Sequence, residues 1–238
     1  MPRPWLLAPA LAFACGHAAT HTTAEYLERR YTMVKRQIED RGIKDPRVLA
    51  AMREIPRHEF VPEESRQSAY EDRPLGIGFG QTISQPYIVA FMTEQLAPKP
   101  GDRILEVGTG SGYQAAILSK LVAEVFSIEI VPQLAESAAA TLKRLNLQNV
   151  QTKAGDGYKG WSEHAPFDAI IVTCAPDHVP NPLVKQLKEG GRMIVPVGDV
   201  GEQSLYLLEK RDGNIERKSV LPVRFVPMTG EAQTRPPR

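Results

Sequence analysis

The sequence is poor in cysteine, in net charge and in long apolar runs, and each shortage excludes something. Cys15 and Cys174 are the only two cysteines in 238 residues. They show neither metal-ligand spacing nor a disulfide framework, and each stands in apolar surroundings where a thiol behaves as a small hydrophobe. Neither is assigned a chemical role, and no metal is expected. The formal net charge is +1, with no block of Lys or Arg. The electrostatic footprint of a phosphate-backbone partner is therefore missing, so no nucleic acid is expected and a neutral or peptide-like substrate fits better. The apolar run from Trp5 to Cys15 is shorter than the ~20 residues a helix needs to span a bilayer, so no membrane span is expected. What is present, 42% hydrophobic and 24% charged residues, suffices for one sizeable core and one domain with appendages.

The N-terminus is the compositional oddity. Arg3 precedes the apolar run, and small residues follow at Ala12-Phe13-Ala14 and Ala18-Ala19, as in a secretory signal peptide cleaved after Ala14 or near Ala19. Pro4 and Pro9 interrupt the run and its charge is minimal, which suits a disordered extension equally well. Cys15 after Leu11-Ala12-Phe13-Ala14 hints at lipid attachment, although Ala12 stands where a larger aliphatic residue is usual. Residues 1–22 are set apart as this extension. Residues 23–238 form a single domain, with a helical and substrate-loop part over 23–98 and a cofactor-binding core over 99–238.

From Thr23 to Arg41, apolar residues at three- and four-residue spacings predict an amphipathic helix closed by Gly42. A second helix spans Asp45 to Glu54, with Asp45 as cap and Pro46 at its first position. Pro62 to Gln81, rich in Gly and Pro, reads as irregular structure, and a helix resumes over Pro86 to Leu96. Short apolar runs then alternate with helical segments, the pattern of a parallel α/β sheet. Strands are expected at Arg103–Val107, Glu124–Ile128, Val150–Ala154, Ala169–Thr173 and Gly191–Val197, and helices at Gly112–Leu121, Pro132–Leu145 and Pro180–Leu187. Ser204–Lys210 and Lys218–Val226, around Asp212-Gly213-Asn214, predict a C-terminal antiparallel hairpin.

In Glu106-Val107-Gly108-Thr109-Gly110-Ser111-Gly112, a buried strand runs into three alternating glycines and then a helix. Glycines there permit a tight turn and close approach to a ligand. Glu129 ends the next strand, where an acidic residue accepts hydrogen bonds from a ribose. A dinucleotide fingerprint would place a small residue where Tyr113 stands. Glu106 would repel a pyrophosphate but suits the cationic methionine end of S-adenosylmethionine. Glu-x-Gly-x-Gly-x-Gly resembles the first motif of class I methyltransferases. By that resemblance the fold is α/β, a doubly wound, mostly parallel, Rossmann-like sheet with an N-terminal helical appendage, and Asp156 in Ala154-Gly155-Asp156-Gly157 contacts adenine. Gly-Asp-Gly would equally serve as a plain turn.

Amino-group methylases of this fold often carry Asn/Asp-Pro-Pro-aromatic after the fourth strand, where this chain has Thr173-Cys174-Ala175-Pro176. A carboxylate nucleophile is already ionised at neutral pH and needs only neutral donors, such as Thr82 and Ser84. The segment Ile77-Gly78-Phe79-Gly80-Gln81-Thr82-Ile83-Ser84-Gln85-Pro86 resembles the hallmark of protein-L-isoaspartate O-methyltransferases. The similarity extends through Arg57-His58-Glu59-Phe60-Val61-Pro62, the glycine turn, Phe167-Asp168-Ala169-Ile170 and Phe225-Val226-Pro227-Met228-Thr229, so it spans nearly everything from Tyr31 to Thr229.

This resemblance implies S-adenosyl-L-methionine as cofactor, isoaspartyl peptides and proteins as substrates, a monomer and a cytoplasmic location, with export through the signal-like segment as the alternative. It makes Ser84 the catalytic residue, although Ser84 alone would read as an N-cap for the helix at Pro86. It places Gln81, Thr82, Ile83, Glu106, Gly108, Thr109, Gly110, Ser111, Gly112, Glu129, Ile130, Gly155, Asp156 and Thr229 around the cofactor. Val226, Pro227 and Thr229 would close over the peptide, or form an edge strand and turn. His58 and His178 read as surface or packing residues, and Tyr87, Phe91 and Met92 as core.

Overall fold

The computed structural model describes residues 22–199 and 201–233; the signal-like run and the lipid-attachment hint at Cys15 lie outside the described residues. Helix α1 (Thr23–Met33) starts in a capping box. The Thr22 hydroxyl accepts the Glu25 N–H at 3.3 Å and the Glu25 carboxylate takes the Thr22 N–H, an arrangement worth ~1 kcal/mol. The helix expected to run unbroken to Arg41 instead widens into a π turn at Val34–Ile38, tightens into a 3-10 turn at Glu39–Arg41, and ends at Gly42 with φ +100°. The wider turn keeps Val34 and Ile38, both fully buried, on the core face. Helix α2 (Pro46–Glu54) is capped by Asp45, which accepts the Arg47 N–H at 2.8 Å.

The segment expected to be irregular holds a small hairpin. Strand β1 (Leu75–Gly78) pairs antiparallel with β2 (Gln81–Ile83). Glycine, which is depleted in strands, occupies the alternate positions of this four-residue strand, so the Gly-rich run reads as irregular. Helix α3 (Pro86–Leu96) follows.

The main sheet comprises β3 (Arg103–Val107), β4 (Glu124–Glu129), β5 (Val150–Ala154), β6 (Phe167–Val172), β7 (Leu187–Asp199), β8 (Glu202–Arg211) and β9 (Asn214–Val223), in the order β5-β4-β3-β6-β7-β8-β9. The first five are mutually parallel, and β7-β8-β9 is antiparallel. Helices α4 (Tyr113–Ser119), α5 (Pro132–Arg144) and α6 (Asn181–Gln186) connect them. Alternation along the strands splits the core. Ile104, Val125, Ala169 and Ile171 pack with α2, α3 and α4 on one face, while Leu105, Val107, Phe126, Ile170 and Val172 pack with Tyr158 and Leu183 on the other. β7 begins earlier than expected because Leu187 already pairs with Phe167. β9 begins at Asn214 because Asp212 and Gly213, at φ +51° and +73°, close a two-residue turn. Strand order reverses beside β3, and in such sheets a crevice opens there, at the carboxyl ends of the strands. Among the described residues no helix is long and apolar enough to cross a membrane.

Candidate active site

Val107 ends β3 and the chain turns back on itself within five residues. Gly108, Gly110 and Gly112 stand at φ +96°, +52° and +87°, a region that favours glycine. The turn is stitched to β4, because the Gly108 and Thr109 N–H groups donate to the Ile128 carbonyl at 2.8 and 3.2 Å. Across the crevice, Thr173 follows β6 and its hydroxyl donates to the Gly108 carbonyl at 2.7 Å. A Cβ on Gly108 would lie 2.5 Å from that hydroxyl oxygen.

These elements wall a cleft of about 860 Å³, its open mouth included. The structure brings together Gln81, Thr82, Ile83, Ser84, Glu106, Gly108, Thr109, Gly110, Ser111, Glu129, Ile130 and Thr229 as lining residues, all expected at the site. Val226 and Pro227, given two readings above, line it too. The N-cap of α3 is Gln85, and no side chain caps that helix, so the capping alternative for Ser84 falls.

Three expected residues sit outside the lining. Gly112 is a packing glycine: a Cβ there would meet Ala138 and Leu142 at 3.3 and 3.5 Å, so its absence lets α5 approach. Gly155 continues the β5 edge, donating its N–H to the Glu129 carbonyl at 2.8 Å. Asp156 is engaged behind the lining residue Gly157, where its two carboxylate oxygens accept the Tyr158 and Glu231 N–H groups at 3.0 and 2.9 Å. These bonds form a turn and latch it to the C-terminal loop, and each oxygen keeps a second lone pair.

Electrostatically the cleft is one-sided. Among the described residues it is lined by two carboxylates, Glu106 and Glu129, and by no lysine, arginine or histidine. Glu129 is 5% exposed, and its oxygens accept the Gly110 and Val131 N–H groups at 2.7 and 2.9 Å. Each oxygen keeps a second lone pair free for a sugar hydroxyl. Glu106 is fully buried. Ser127 donates to its Oε2 and is itself within hydrogen-bond distance of Thr109, while Oε1 has no partner. Burial pushes the Glu106 carboxyl up to about 8, with the Glu129 charge adding to the shift and the Ser127 hydroxyl opposing it. An orphaned acidic oxygen at the wall of a cation-free cleft fits a cationic ligand, as S-adenosylmethionine is, and the glycine turn leaves room for it.

Sequence reasoning missed Val89, Met92, Tyr113, Gln114, Ile128, Thr173 and Cys174 as lining residues. Met92 was read as core, and it is core, 1% exposed, but it also forms part of the wall. The position of Thr173-Cys174 at the end of β6, beside the strand-order reversal, was the available signal. Burial drives the Cys174 thiol up to about 12, so it serves as a neutral, apolar surface. His58 stacks on Tyr26 with ring centroids 4.0 Å apart, and His178 bonds Tyr158 at 3.1 Å; both pack outside the cleft.

A family model described as protein-L-isoaspartate(D-aspartate) O-methyltransferase matches residues 28–233. A protein-L-isoaspartate O-methyltransferase of Opitutus terrae is 54% identical over 227 residues, covering 95% of this chain and 97% of that protein. A solved protein-L-isoaspartate O-methyltransferase superposes with a TM-score of 0.78 at 34% identity, covering 87% of this chain and 67% of the other. The Plasmodium falciparum enzyme, in complex with S-adenosyl-L-homocysteine, gives 0.75 at 28% identity, covering 84% and 98%.

Proposed function

The chain belongs to the protein-L-isoaspartate O-methyltransferase family, and we propose that Ser84 and its loop present the substrate carboxylate to a methyl donor held by the glycine turn. The protein is an S-adenosylmethionine-dependent methyltransferase that esterifies the free carboxylate of L-isoaspartyl residues, initiating their repair. When bound, S-adenosylmethionine supplies a methyl group activated by its sulfonium charge. The residues of this chain do the rest. Glu129 would take the ribose hydroxyls on its free lone pairs, and Glu106 would balance the cationic end. Gln81, Thr82, Ile83, Ile130 and Thr229 complete the enclosure, and Asp156, through its turn, holds the adenine side.

The carboxylate arrives ionised, so no proton must be removed. The Ser84 and Thr82 hydroxyls orient it as neutral donors. A lysine or arginine would bind the ground state more tightly and blunt its nucleophilicity, and among the described residues the cleft has neither. Val226 and Pro227 exclude water from the far lip. The observation that carries this reading is that Ser84 and the glycine turn line one cleft although some twenty-five residues separate them.

The test uses labelled S-adenosylmethionine and two peptides that differ only in an aspartyl or isoaspartyl linkage. Label on the isoaspartyl peptide alone is expected; equal or absent labelling refutes the reading. The near-neutral charge supports action on polypeptides and not on nucleic acid. The family supports the cytoplasm as the location. Arg3 and the apolar run after it support export as a second reading, which mass measurement of protein from its native host decides: an intact Met1, or loss of Met1 alone, excludes cleavage.

A further inference from the structure

The tip of the β1–β2 hairpin carries a side chain that neither the fold nor the methyl transfer uses. Phe79 is 59% exposed at φ +53°, between Gly78 at +90° and Gly80 at +70°. A bulky residue in left-handed backbone is disfavoured, and such strain persists only where the surroundings enforce it. Here they do. Asp72, just before the hairpin, pairs with Arg41 at 2.8 Å, and its carbonyl accepts from the Gln85 side chain at 3.2 Å. Ile77 lies against the glycine turn, since a Cβ on Gly110 would come within 3.4 Å of its Cδ1. The Gln81 amide reaches back to the Phe79 carbonyl at 3.5 Å. The hairpin is thus fixed on its cleft side and holds an aromatic ring out in water, where the ring adds nothing to the core.

Gln81, two residues on, lines the cleft beside Ser84. Phe79 and Gly80 form the turn, so the two residues back to Gln81 span at most about 7 Å, a distance that an extended substrate peptide covers in two residues. The ring therefore stands within reach of the first or second neighbour of a carboxylate held at Ser84. We propose that Phe79 is a specificity-determining residue, its ring covering an apolar side chain that flanks the isoaspartyl residue of the substrate. The proposal rests on the isoaspartyl reading given above. It assigns the exposed ring one occupant, the substrate peptide, because the strand that leaves the ring is itself the wall of the reaction cleft.

The test compares wild type, Phe79→Gly and Phe79→Leu on two isoaspartyl peptides, one with leucine on both sides of the isoaspartyl residue and one with glycine. Glycine suits the left-handed backbone, so Phe79→Gly should melt close to wild type and bind S-adenosylmethionine unchanged, which establishes that the variant is folded. KM for the leucine-flanked peptide should rise ~10-fold, the scale of one uncovered apolar side chain, with kcat within about twofold. KM for the glycine-flanked peptide should stay put, and Phe79→Leu should retain most of the wild-type preference. Equal KM values for wild type and Phe79→Gly on the leucine-flanked peptide overturn the proposal. So does an equal rise on both peptides, which would mark a general effect of the hairpin. A wild-type enzyme that binds S-adenosylmethionine yet labels neither peptide overturns the proposal together with the reading beneath it.

Discussion

Replacing Glu106 with glutamine isolates the least ordinary charge in the molecule. The carboxyl is fully buried and titrates at about 8 instead of 4.5. A carboxyl whose folded value is raised gives its full stability below 4.5 and loses it as the pH climbs towards 8, because the folded state holds the proton that the unfolded chain releases. The slope in that window approaches ~1.4 kcal/mol per pH unit. By pH 7 the accumulated loss is about 3 kcal/mol, a large share of the 5–15 kcal/mol a folded domain typically has. Glutamine keeps the shape and can still accept from Ser127, but it does not titrate. In urea unfolding of cofactor-free protein at pH 5, 7 and 9, wild type should lose stability relative to Glu106→Gln at each step. Parallel stabilities across that range would refute the buried-carboxyl argument.

The same site makes a prediction about the cofactor. Since Ser127 donates to Oε2, the proton of neutral Glu106 belongs on Oε1, the oxygen without a partner. A cation entering the cleft favours the ionised form, so binding should expel that proton below pH 8 and affinity should rise with pH. Calorimetry in buffers of different ionisation enthalpy counts the protons, taken as wild type minus Glu106→Gln. A difference near zero would mean that Glu106 stays neutral in the complex and does not meet the positive charge.

Three further substitutions probe the rest of the cleft. Ser84→Ala removes a donor to a charged oxygen, an interaction worth about 1.5–3 kcal/mol, so kcat should fall roughly 10- to 100-fold with cofactor affinity unchanged; wild-type turnover would remove Ser84 from the reaction. Gly108→Ala drives a Cβ to 2.5 Å from the Thr173 hydroxyl at φ +96°, so thermal unfolding should register a loss of roughly 1–3 kcal/mol and cofactor binding should fail. Gly76→Ala, whose Cβ meets nothing within 4 Å, is the control, and equal losses in both would refute the steric argument. Thr173→Val deletes the hydroxyl that donates to the Gly108 carbonyl and should cost ~1 kcal/mol, with weaker cofactor binding as the turn loosens. Calorimetric affinities equal to wild type would show that the turn holds itself.

Much of this site was legible because its residue types answer to the backbone. Gly108, Gly110 and Gly112 all occupy positive φ, and a strand, a glycine turn and a helix in succession announce a ligand-binding turn. What each glycine is for was not legible. Gly110 faces Ile77 and the cleft, whereas Gly112 faces Ala138 and Leu142, a distinction set by what a Cβ would strike across space. Asp156 shows the same limit, since Gly-Asp-Gly does not reveal that its carboxylate accepts from the Tyr158 and Glu231 amides.

Thr173 and Cys174 were missed for a further reason: sheet topology alone delivers them. The order that sets β3 between β4 and β6 brings Thr173 against Gly108 across sixty-five residues, with no local pattern to mark it. The hairpin escaped because its strands are four and three residues long and its sequence is rich in glycine, yet it links the glycine turn to the loop of Ser84. Ile77 lies against Gly110, while Gln81 and Ser84, a few residues later, line the cleft. The segment proposed to choose the substrate is therefore seated on the turn proposed to receive the methyl donor. By that proposal a change that lifts Ile77 should disturb both, whereas a change at the exposed Phe79 should alter the substrate alone.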